Sequence, residues 1–281
     1  MEYQLNDVSV NYNESMALYN INCTIQSGKW ISIIGQTGAG KSTFVQLLKG
    51  LIPNISGEYL IDKQPVLRER KGHIKVNSDI GYVFQYPEHQ LFETTVYKEL
   101  AFAPKIKGYS DQQIKKSIDS ILSQMDLSEE ILQLAPFQLS GGQKRSIAIA
   151  SVLITDPQLL ILDEPTAGLD PVNKAALLQL LKQWQDQHNR TVLFVSHQMN
   201  DVAEYSDEVI MLHEGKLVGH FDTNHLFLKQ ADLLENLGLS LPEPVQLLML
   251  VEELSGQTIE VSSCREQHIL EKVSPIWHAR S

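Results

Sequence analysis

The chain has 281 residues, of which 43% are hydrophobic, enough for the core of one large domain with a smaller appendage. Its formal net charge of −11 excludes a strongly basic nucleic-acid footprint. The two cysteines, Cys23 and Cys264, lie far apart and outside any CxxC pattern, which favours free thiols. Because no signal peptide or membrane-length apolar run is evident, we expect a soluble chain that a partner could still hold at a membrane.

The first 50 residues predict strands followed by a strand–loop–helix unit. Residues 1–30 alternate polar and apolar in places, as half-buried strands do. The apolar run Trp30–Ile34 ends at Gly35 and predicts a buried strand that enters a glycine loop. Helical spacing of apolar residues follows over residues 41–50, and Gly50 is a plausible C-cap.

The rest of the chain alternates short apolar strands with helices. We expect small strands and loops over residues 53–80, a strand at 80–84 and mainly helix over 96–134, where a helix opens at Asp111. Strands are predicted at 159–162, 191–195 and 209–212, a helix at 174–184 and a hairpin turn at 213–216. The alternation argues for a parallel α/β core, into which a helical subdomain at about 90–150 is inserted. The leucine-rich tail from about residue 231 predicts a small helical addition.

The sequence GQTGAGKS at residues 35–42 fits the P-loop pattern without a mismatch. Glycines allow backbone N–H groups to wrap phosphates, Lys41 would reach the β- and γ-phosphates, and Ser42 would ligate Mg²⁺. An ordinary glycine turn is the weaker reading, because a strand and a helix flank the loop correctly. The predicted ATP-binding residues of this segment are Gly35, Gln36, Thr37, Gly38, Ala39, Gly40, Lys41, Ser42 and Thr43.

Two carboxylates end the apolar strand that starts at Leu159. Asp163, at the strand's carboxyl end, suits a Mg²⁺ shell, and Glu164 could polarise an attacking water as general base. Alone, such a pair could equally be two solvated acids at a strand end. Beside a P-loop, the catalytic interpretation is favoured.

A second anion site is predicted where LSGGQ runs into an apolar, helix-forming stretch. A serine and two glycines at a helix start expose backbone N–H groups to the positive end of the helix dipole. The residues are Ser140, Gly141, Gly142 and Gln143. Gln85 and His197 each follow a predicted strand and could contact a metal, a water or a γ-phosphate, although a lone Gln or His in such a place is usually structural.

Taken together, the P-loop, Gln85, LSGGQ, the Asp163–Glu164 pair, Asp170 and His197 occur in the order found in ATP-binding cassette (ABC) ATPases. The chain resembles that family over about residues 3–230. The resemblance implies a P-loop NTPase (RecA-like) α/β core with an antiparallel β subdomain and an inserted helical signature subdomain. It also implies a head-to-tail dimer, in which the signature of one subunit caps the ATP held by Lys41 of the other.

The resemblance assigns further roles residue by residue. Gln85 matches the Q-loop glutamine, which is implied to be both catalytic and a Mg²⁺ ligand. Asp170 matches the D-loop aspartate, and His197 matches the catalytic switch histidine. Tyr12 matches the aromatic residue that stacks on adenine. Tyr3 and Tyr19 lie close to it in sequence, and a plain surface tyrosine is the alternative.

A closer match covers residues 86–96, YPEHQLFETTV, together with LDEPTAGLDP. These segments resemble the second of two paralogous ATPases in group II energy-coupling factor (ECF) transporters, which import vitamins and transition-metal ions. The resemblance implies that Pro87, Leu91 and Phe92 contact a coupling helix of a transmembrane subunit. The alternative is that they only pack the helical subdomain. Residues 231–281 would form a C-terminal helical extension used in dimer contact, beside an ATPase domain at 1–230.

We therefore expect an ATP- and Mg²⁺-dependent ATPase that powers micronutrient uptake from the cytoplasmic face of the cell membrane. Its implied partners are a second ABC ATPase, a transmembrane scaffold and a membrane subunit that binds the substrate. The second ATPase is expected to be a paralogue in preference to an identical copy, and no nucleic-acid partner is expected. The alternatives are the ATPase of a conventional ABC importer or exporter, a soluble ABC ATPase acting on DNA or ribosomes, and a regulatory cassette without activity. The intact Lys41, Glu164 and His197 argue against the last, while the transported substrate stays open.

Overall fold

A computed structural model of the chain describes residues 1–12, 15–68 and 73–278. The chain divides into two compact units, Met1–Lys75 with Leu193–Ser281, and Val76–Val192. The last three residues of the predicted C-terminal extension lie outside the described residues. In the described part of the chain, no helix is both long and apolar enough to cross a membrane.

The first unit contains a four-stranded antiparallel sheet near the N-terminus. Tyr3 and Leu5, and then Val8 and Val10, are buried in the first strand, and its pairing with the second strand shifts register between Leu5 and Val8, where Asp7 has a positive φ of 51°. This is the antiparallel β subdomain that the sequence predicts. Its strands are β1 (Tyr3–Tyr12), β2 (Ser15–Ile25), β4 (Ser56–Ile61) and β5 (Gln64–Pro65).

This unit also contains strands whose sequences consist almost entirely of apolar residues. All five residues of β3 (Trp30–Ile34) are buried, as expected for a strand covered on both faces. β3 is parallel to β9 (Glu208–His213), which pairs antiparallel with β10 (Lys216–Asp222). β8 (Thr191–Val195) lies on the other side of β3, and the boundary between the two units falls within it. Helix α1 (Lys41–Lys49) follows β3 and ends at Gly50, the predicted C-cap.

The C-terminal helices belong to this same unit and share its core. Ile34, at the end of β3, lies in one buried cluster with Met199 and Val202 of the helix after β8 and with Leu234 and Ile269 of the tail. The extension is therefore packed on the unit that carries the glycine loop. Its helices and those before it are α6 (Met199–Tyr205), α7 (Thr223–Lys229), α8 (Ala231–Asn236), α9 (Glu243–Ser255) and α10 (Glu266–His278).

The second unit carries the predicted helical insertion between two parallel strands, β6 (Ile80–Val83) and β7 (Leu159–Asp163). Both strands are completely buried. Helix α3 starts at Asp111, as predicted, because Ser110 caps it and forms a reciprocal capping box with Gln113. The helices are α2 (Val96–Ile106), α3 (Asp111–Gln124), α4 (Gly141–Leu153) and α5 (Pro171–His188), with short 3₁₀ turns at Pro87–Gln90, Glu129–Gln133 and Pro136–Gln138.

The shared core of the first unit predicts how the C-terminal extension unfolds. Ile269 is fully buried, so Ile269→Ala removes buried methyl groups and lowers the free energy of unfolding by about 2–5 kcal/mol. The neighbouring Leu270 is 40% exposed, and Leu270→Ala is the matched control with a much smaller effect. Urea denaturation followed by tryptophan fluorescence measures both. An early, separate transition of the tail, with the main transition unmoved, would contradict a shared core.

Candidate functional site

The glycine loop after β3 lies close to the backbone of β9, within the first unit. Gly35 has φ of 151°, and a Cβ placed there would come within 2.2 Å of the carbonyl oxygen of Leu212. The loop is closed by the Ala39 N–H, which donates to the carbonyl of Gln36 at 3.1 Å, while the Ala39 carbonyl accepts from Gly215. The backbone therefore needs a glycine at position 35 to pass next to β9.

Lys41 lies over this loop at the start of α1. Its Nζ donates to the carbonyl oxygens of Gly35 at 2.8 Å and Gln36 at 3.0 Å. The N-cap of α1 is Gly40, which offers no side chain to the first-turn N–H groups. A lysine ammonium and the N-terminus of a helix converge on a short exposed loop, and this arrangement suits a polyanion such as a nucleotide phosphate.

His197 and Tyr12 also lie in the first unit. The Ser196 N–H donates to the carbonyl of Ile33 at 3.4 Å, so His197 follows β8 beside the point where β3 enters the glycine loop. Its side chain is exposed. Tyr12, at the end of β1, is 44% exposed and Tyr19 is 50% exposed, whereas Tyr3 is only 1% exposed. Burial thus removes Tyr3 as an adenine-stacking candidate, and Tyr12 and Tyr19 both stay available.

In the second unit the structure brings Gln85, Asp163 and Glu164 together. Gln85 Nε2 donates to Glu164 Oε2 at 3.0 Å. Asp163 is buried, and its Oδ2 accepts from the hydroxyl of Tyr82 at 2.8 Å. Glu164 has φ of 51°, an uncommon conformation for a residue with a side chain. The strand ends therefore present one anchored carboxylate and one carboxylate paired with an amide.

The LSGGQ segment forms the N-terminus of α4, as predicted. Ser140 caps the helix, its Oγ accepting from the Gln143 N–H at 3.3 Å while its own N–H donates to Gln143 Oε1 at 3.0 Å. All four signature residues are exposed. Outside the backbone of α4 itself, a Cβ added to Gly141 or Gly142 would meet no described atom within 4 Å, so packing against the described residues does not require a glycine at either position.

Asp170 has a local structural task. It caps α5 by accepting from the Val172 and Asn173 N–H groups, both at 3.1 Å, and it also accepts from the Asn173 side chain. The hydrogen bonds from Asn173 and Val172 lower the pKa of Asp170, because they favour its charged form. The capping role was readable from the sequence, since Asp170 is followed by Pro171 at the first helical position.

The segment after Gln85 forms a 3₁₀ turn that a buried acid holds in place. Pro87 is buried at the start of the turn, Leu91 is half-buried and Phe92 is 63% exposed. Glu99, only 5% exposed, accepts from the backbone N–H groups of Phe92 at 3.0 Å and Glu93 at 2.9 Å. The chain after the turn is thus anchored while the Phe92 ring faces outwards, edge-on to Phe102 with ring centroids 4.9 Å apart.

Sequence reasoning missed the residues that hold the predicted site in place. Tyr82, Glu99 and the ion pair between Glu88 and Arg145 all contact motif residues or their backbone. The alternation along β6 gives a weak hint of Tyr82. No sequence pattern pairs Glu88 with Arg145, which are 57 residues apart.

Comparison with known proteins identifies the family. A family model described as ABC transporter matches residues 18–167. The energy-coupling factor transporter ATP-binding protein EcfA2 of Geobacillus kaustophilus is 39% identical over 267 residues, covering 92% of each chain. That of Bacillus subtilis is 39% identical over 245 residues, covering 86% of this chain and 88% of its relative.

Solved structures agree with the sequence relatives. CbiO1 from Clostridium perfringens, described as part of an ABC transporter complex, has a TM-score of 0.73 and 32% identity and covers 88% of this chain and 98% of its own. A dimeric bacterial ABC transporter cassette has a TM-score of 0.68 and 28% identity and covers 79% of this chain. The predicted P-loop NTPase fold is confirmed by these similarities.

The chain therefore belongs to the ABC transporter ATPases and, within them, to the energy-coupling factor transporter ATP-binding proteins. It is an ATP-binding enzyme that hydrolyses ATP, as the motif order predicts.

The close approach of Gly35 to Leu212 gives a testable prediction. A methyl group at this position clashes with backbone and strains the loop, so Gly35→Ala weakens ATP affinity by about tenfold or more, equivalent to about 1.4 kcal/mol. Calorimetric titration with ATP measures the change. Gly142→Ala adds the same methyl group at an open position and should leave ATP binding to the isolated chain unchanged. Equal affinities in the two variants would contradict the constraint on the loop.

Proposed function

We propose that this chain is the ATP-hydrolysing subunit that powers vitamin or other micronutrient uptake by an energy-coupling factor transporter. The single observation that carries the proposal is the 3.0 Å hydrogen bond between Gln85 and Glu164. Gln85 opens the segment that resembles the membrane-coupling region of this family, and Glu164 is the proposed base. A displacement of the segment therefore reaches the hydrolytic carboxylate through one contact.

The glycine loop is the proposed ATP site. Backbone N–H groups of residues 35–43 hold the phosphates, Lys41 neutralises the β- and γ-phosphates, and Tyr12 stacks on adenine. Glu164 accepts a proton from the attacking water as its oxygen bonds to the γ-phosphorus, and the bond to the ADP oxygen breaks. His197 contacts the γ-phosphate. Hydrolysis then releases ADP and phosphate.

The donor set fits Mg²⁺. Ser42, Gln85 and Asp163 offer a hydroxyl, an amide and a carboxylate oxygen, and Mg²⁺ prefers oxygen ligands, often one carboxylate plus substrate phosphates. Among the described residues no cluster of three or more His, Cys, Asp or Glu side chains could hold a metal alone, in keeping with a metal that arrives with the nucleotide. When bound, Mg²⁺ would neutralise charge on the β- and γ-phosphates.

The proposed unit of activity is a dimer with a second ABC ATPase, a paralogue in preference to an identical copy. The two signature glycines support a second subunit, because nothing in the described part of the chain comes close enough to require that they lack side chains. Small residues at an exposed helix N-terminus allow another molecule's phosphate to approach backbone N–H groups closely. Residues 140–143 thus cap the partner's ATP, next to Asp170 of the D-loop.

The outer surface of the coupling segment is proposed to receive a transmembrane scaffold subunit. Phe92 supplies an exposed apolar anchor and Leu91 a half-buried one, while buried Pro87 shapes the turn beneath them. The ATPase domain at 1–230 would then lie peripherally on the cytoplasmic face of the membrane, with a separate membrane subunit binding the substrate. The extension at 231–281 adds to the dimer contact, for which Leu254 and Trp277 offer exposed apolar surface.

Lys41→Ala tests the nucleotide site. Removal of the ammonium takes away the charge that faces the phosphates, so we expect ATP affinity to fall by about tenfold to a hundredfold. Calorimetry on the full-length chain measures it, with Lys49→Ala, at the other end of the same helix, as the control. Unchanged affinity in Lys41→Ala would remove the proposed role of the loop.

Glu164→Gln tests the proposed base. Glutamine can still accept the hydrogen bond from Gln85 but cannot take a proton from water, so ATP binding persists while turnover falls by about 10²–10⁴-fold. Phosphate release by the complex recovered from membranes gives the rate, and identification of the co-purifying chains separates an energy-coupling factor transporter from a conventional ABC transporter. Normal turnover would remove the assignment of Glu164.

A further inference from the structure

Arg145 of helix α4 is buried and makes a two-pronged ion pair with Glu88 of the coupling segment, which is half-buried. Its Nε donates to Glu88 Oε2 at 3.0 Å and its Nη2 to Glu88 Oε1 at 2.9 Å. Its third nitrogen, Nη1, donates to the backbone carbonyl of Ala167 at 2.9 Å and lies 3.4 Å from that of Pro165. The guanidinium therefore bonds two separate segments at once, in the fork geometry peculiar to arginine.

The pair is shielded from water and charged. The side chain of Arg145 is 8% exposed and that of Glu88 is 19% exposed. Burial by itself would raise the pKa of Glu88, but the hydrogen bonds and positive charge of Arg145 outweigh burial and lower the pKa. The lowered pKa keeps Glu88 ionised at neutral pH, and the pair is not a fully exposed surface contact that salt would screen away.

The three segments that meet at this guanidinium carry the functional motifs of the second unit. Arg145 is two residues beyond the signature, so it is fixed to the N-terminal turn of α4. Glu88 lies three residues after Gln85, within the turn that precedes Phe92. Pro165 and Ala167 directly follow Glu164 and lead to Asp170. Gln85 and Glu164 are themselves hydrogen-bonded, so the contacts close a loop between the coupling segment and the base.

We propose that Glu88 and Arg145 form a positioning pair, which makes the coupling segment, the signature helix and the loop after Glu164 move as one body during turnover. Neither residue belongs to the proposed ATP contacts. The inference rests on the proposed function, since it concerns how displacement of the coupling segment reaches the hydrolytic carboxylate and the signature that caps the partner's ATP.

A purely stabilising role explains the arrangement less well. Replacing a buried ion pair by apolar residues of similar size is often neutral or stabilising, so fold stability alone gives little reason for this pair. A bidentate pair with an extra backbone contact instead fixes relative position and orientation, because each hydrogen bond is directional. The two properties separate in experiment, since loss of positioning lowers the catalytic rate without a matching loss of nucleotide affinity.

Glu88→Gln is the primary variant. Glutamine keeps the size of Glu88, but its amide NH₂ would face an N–H donor of Arg145, so the two-pronged contact is lost. In the complex recovered from membranes through a tag on the full-length chain, we expect kcat for ATP hydrolysis to fall by about tenfold, within the range seen when distant changes misplace reacting groups. KM for ATP should stay within about twofold, because the phosphate-binding loop keeps its residues.

Asp156→Asn is the matched control. Asp156 pairs with Arg190 in the same unit, at the end of α5 and away from the motifs, so an equal charge change there should leave kcat and KM as in wild type. Arg145→Lys is the second variant, which keeps the positive charge but cannot bond Glu88 and Ala167 together. It should lower kcat as Glu88→Gln does. Hydrogen exchange in residues 165–170 and at the start of α4 should be faster in Glu88→Gln and Arg145→Lys and unchanged in Asp156→Asn.

The outcomes divide cleanly. Glu88→Gln with the kcat of Asp156→Asn, or a rise in KM that accounts for the lost rate, overturns the positioning pair. Should Glu88→Gln unfold, full activity and wild-type exchange in folded Arg145→Lys overturn it as well. The proposed function is tested separately, by ATP hydrolysis in the wild-type complex and its loss in Glu164→Gln. If both are observed, failure of the Glu88→Gln or Arg145→Lys predictions removes only the positioning pair. A wild-type complex without ATPase activity would remove the proposed function, and the inference with it.

Discussion

A buried guanidinium needs an acceptor for its N–H donors, and the second unit is organised around how Arg145 finds them. Glu88 fills one edge of the fork and the Ala167 carbonyl the other. Leaving either edge empty would strand a charged donor away from water at a cost of several kcal/mol. Arg145 thereby connects α4, the turn after Gln85 and the loop after Glu164 through its hydrogen bonds.

The glycines of the two phosphate motifs serve different constraints. Gly35 is required by its own chain, since the loop passes within 2.2 Å of where a side chain would meet Leu212. Gly141 and Gly142 are not required by it, because the space around them is open. A glycine required by its own chain and a glycine required by a binding partner look the same in a sequence. The surroundings of each glycine distinguish the two cases, and the open space around Gly141 and Gly142 is what supports the proposed second subunit.

The sequence predicts that the C-terminal tail is helical, but it does not predict where the tail packs on the rest of the protein. The leucine content of the tail from about residue 231 predicts a helical addition. The cluster that joins Ile34 and Val202 to Leu234 and Ile269 brings residues more than 200 positions apart into one core. Such contacts depend on packing between elements, which local periodicity does not encode.

Cys264 and Cys23, expected to be free thiols, are both buried and unbridged.

The sequence by itself determined the class of protein, the strand–loop–helix around Lys41, the strand ending in Asp163 and the cap of α4 at Ser140. These are local matters, since glycine conformations, capping side chains and apolar runs act within a few residues. Only the tertiary structure decided that Tyr82 anchors Asp163, that Gln85 contacts Glu164 and that Glu88 pairs with Arg145. Those partners lie 57 to 81 residues apart, and a hydrogen bond between them forms only where strand pairing and helix packing bring the side chains together.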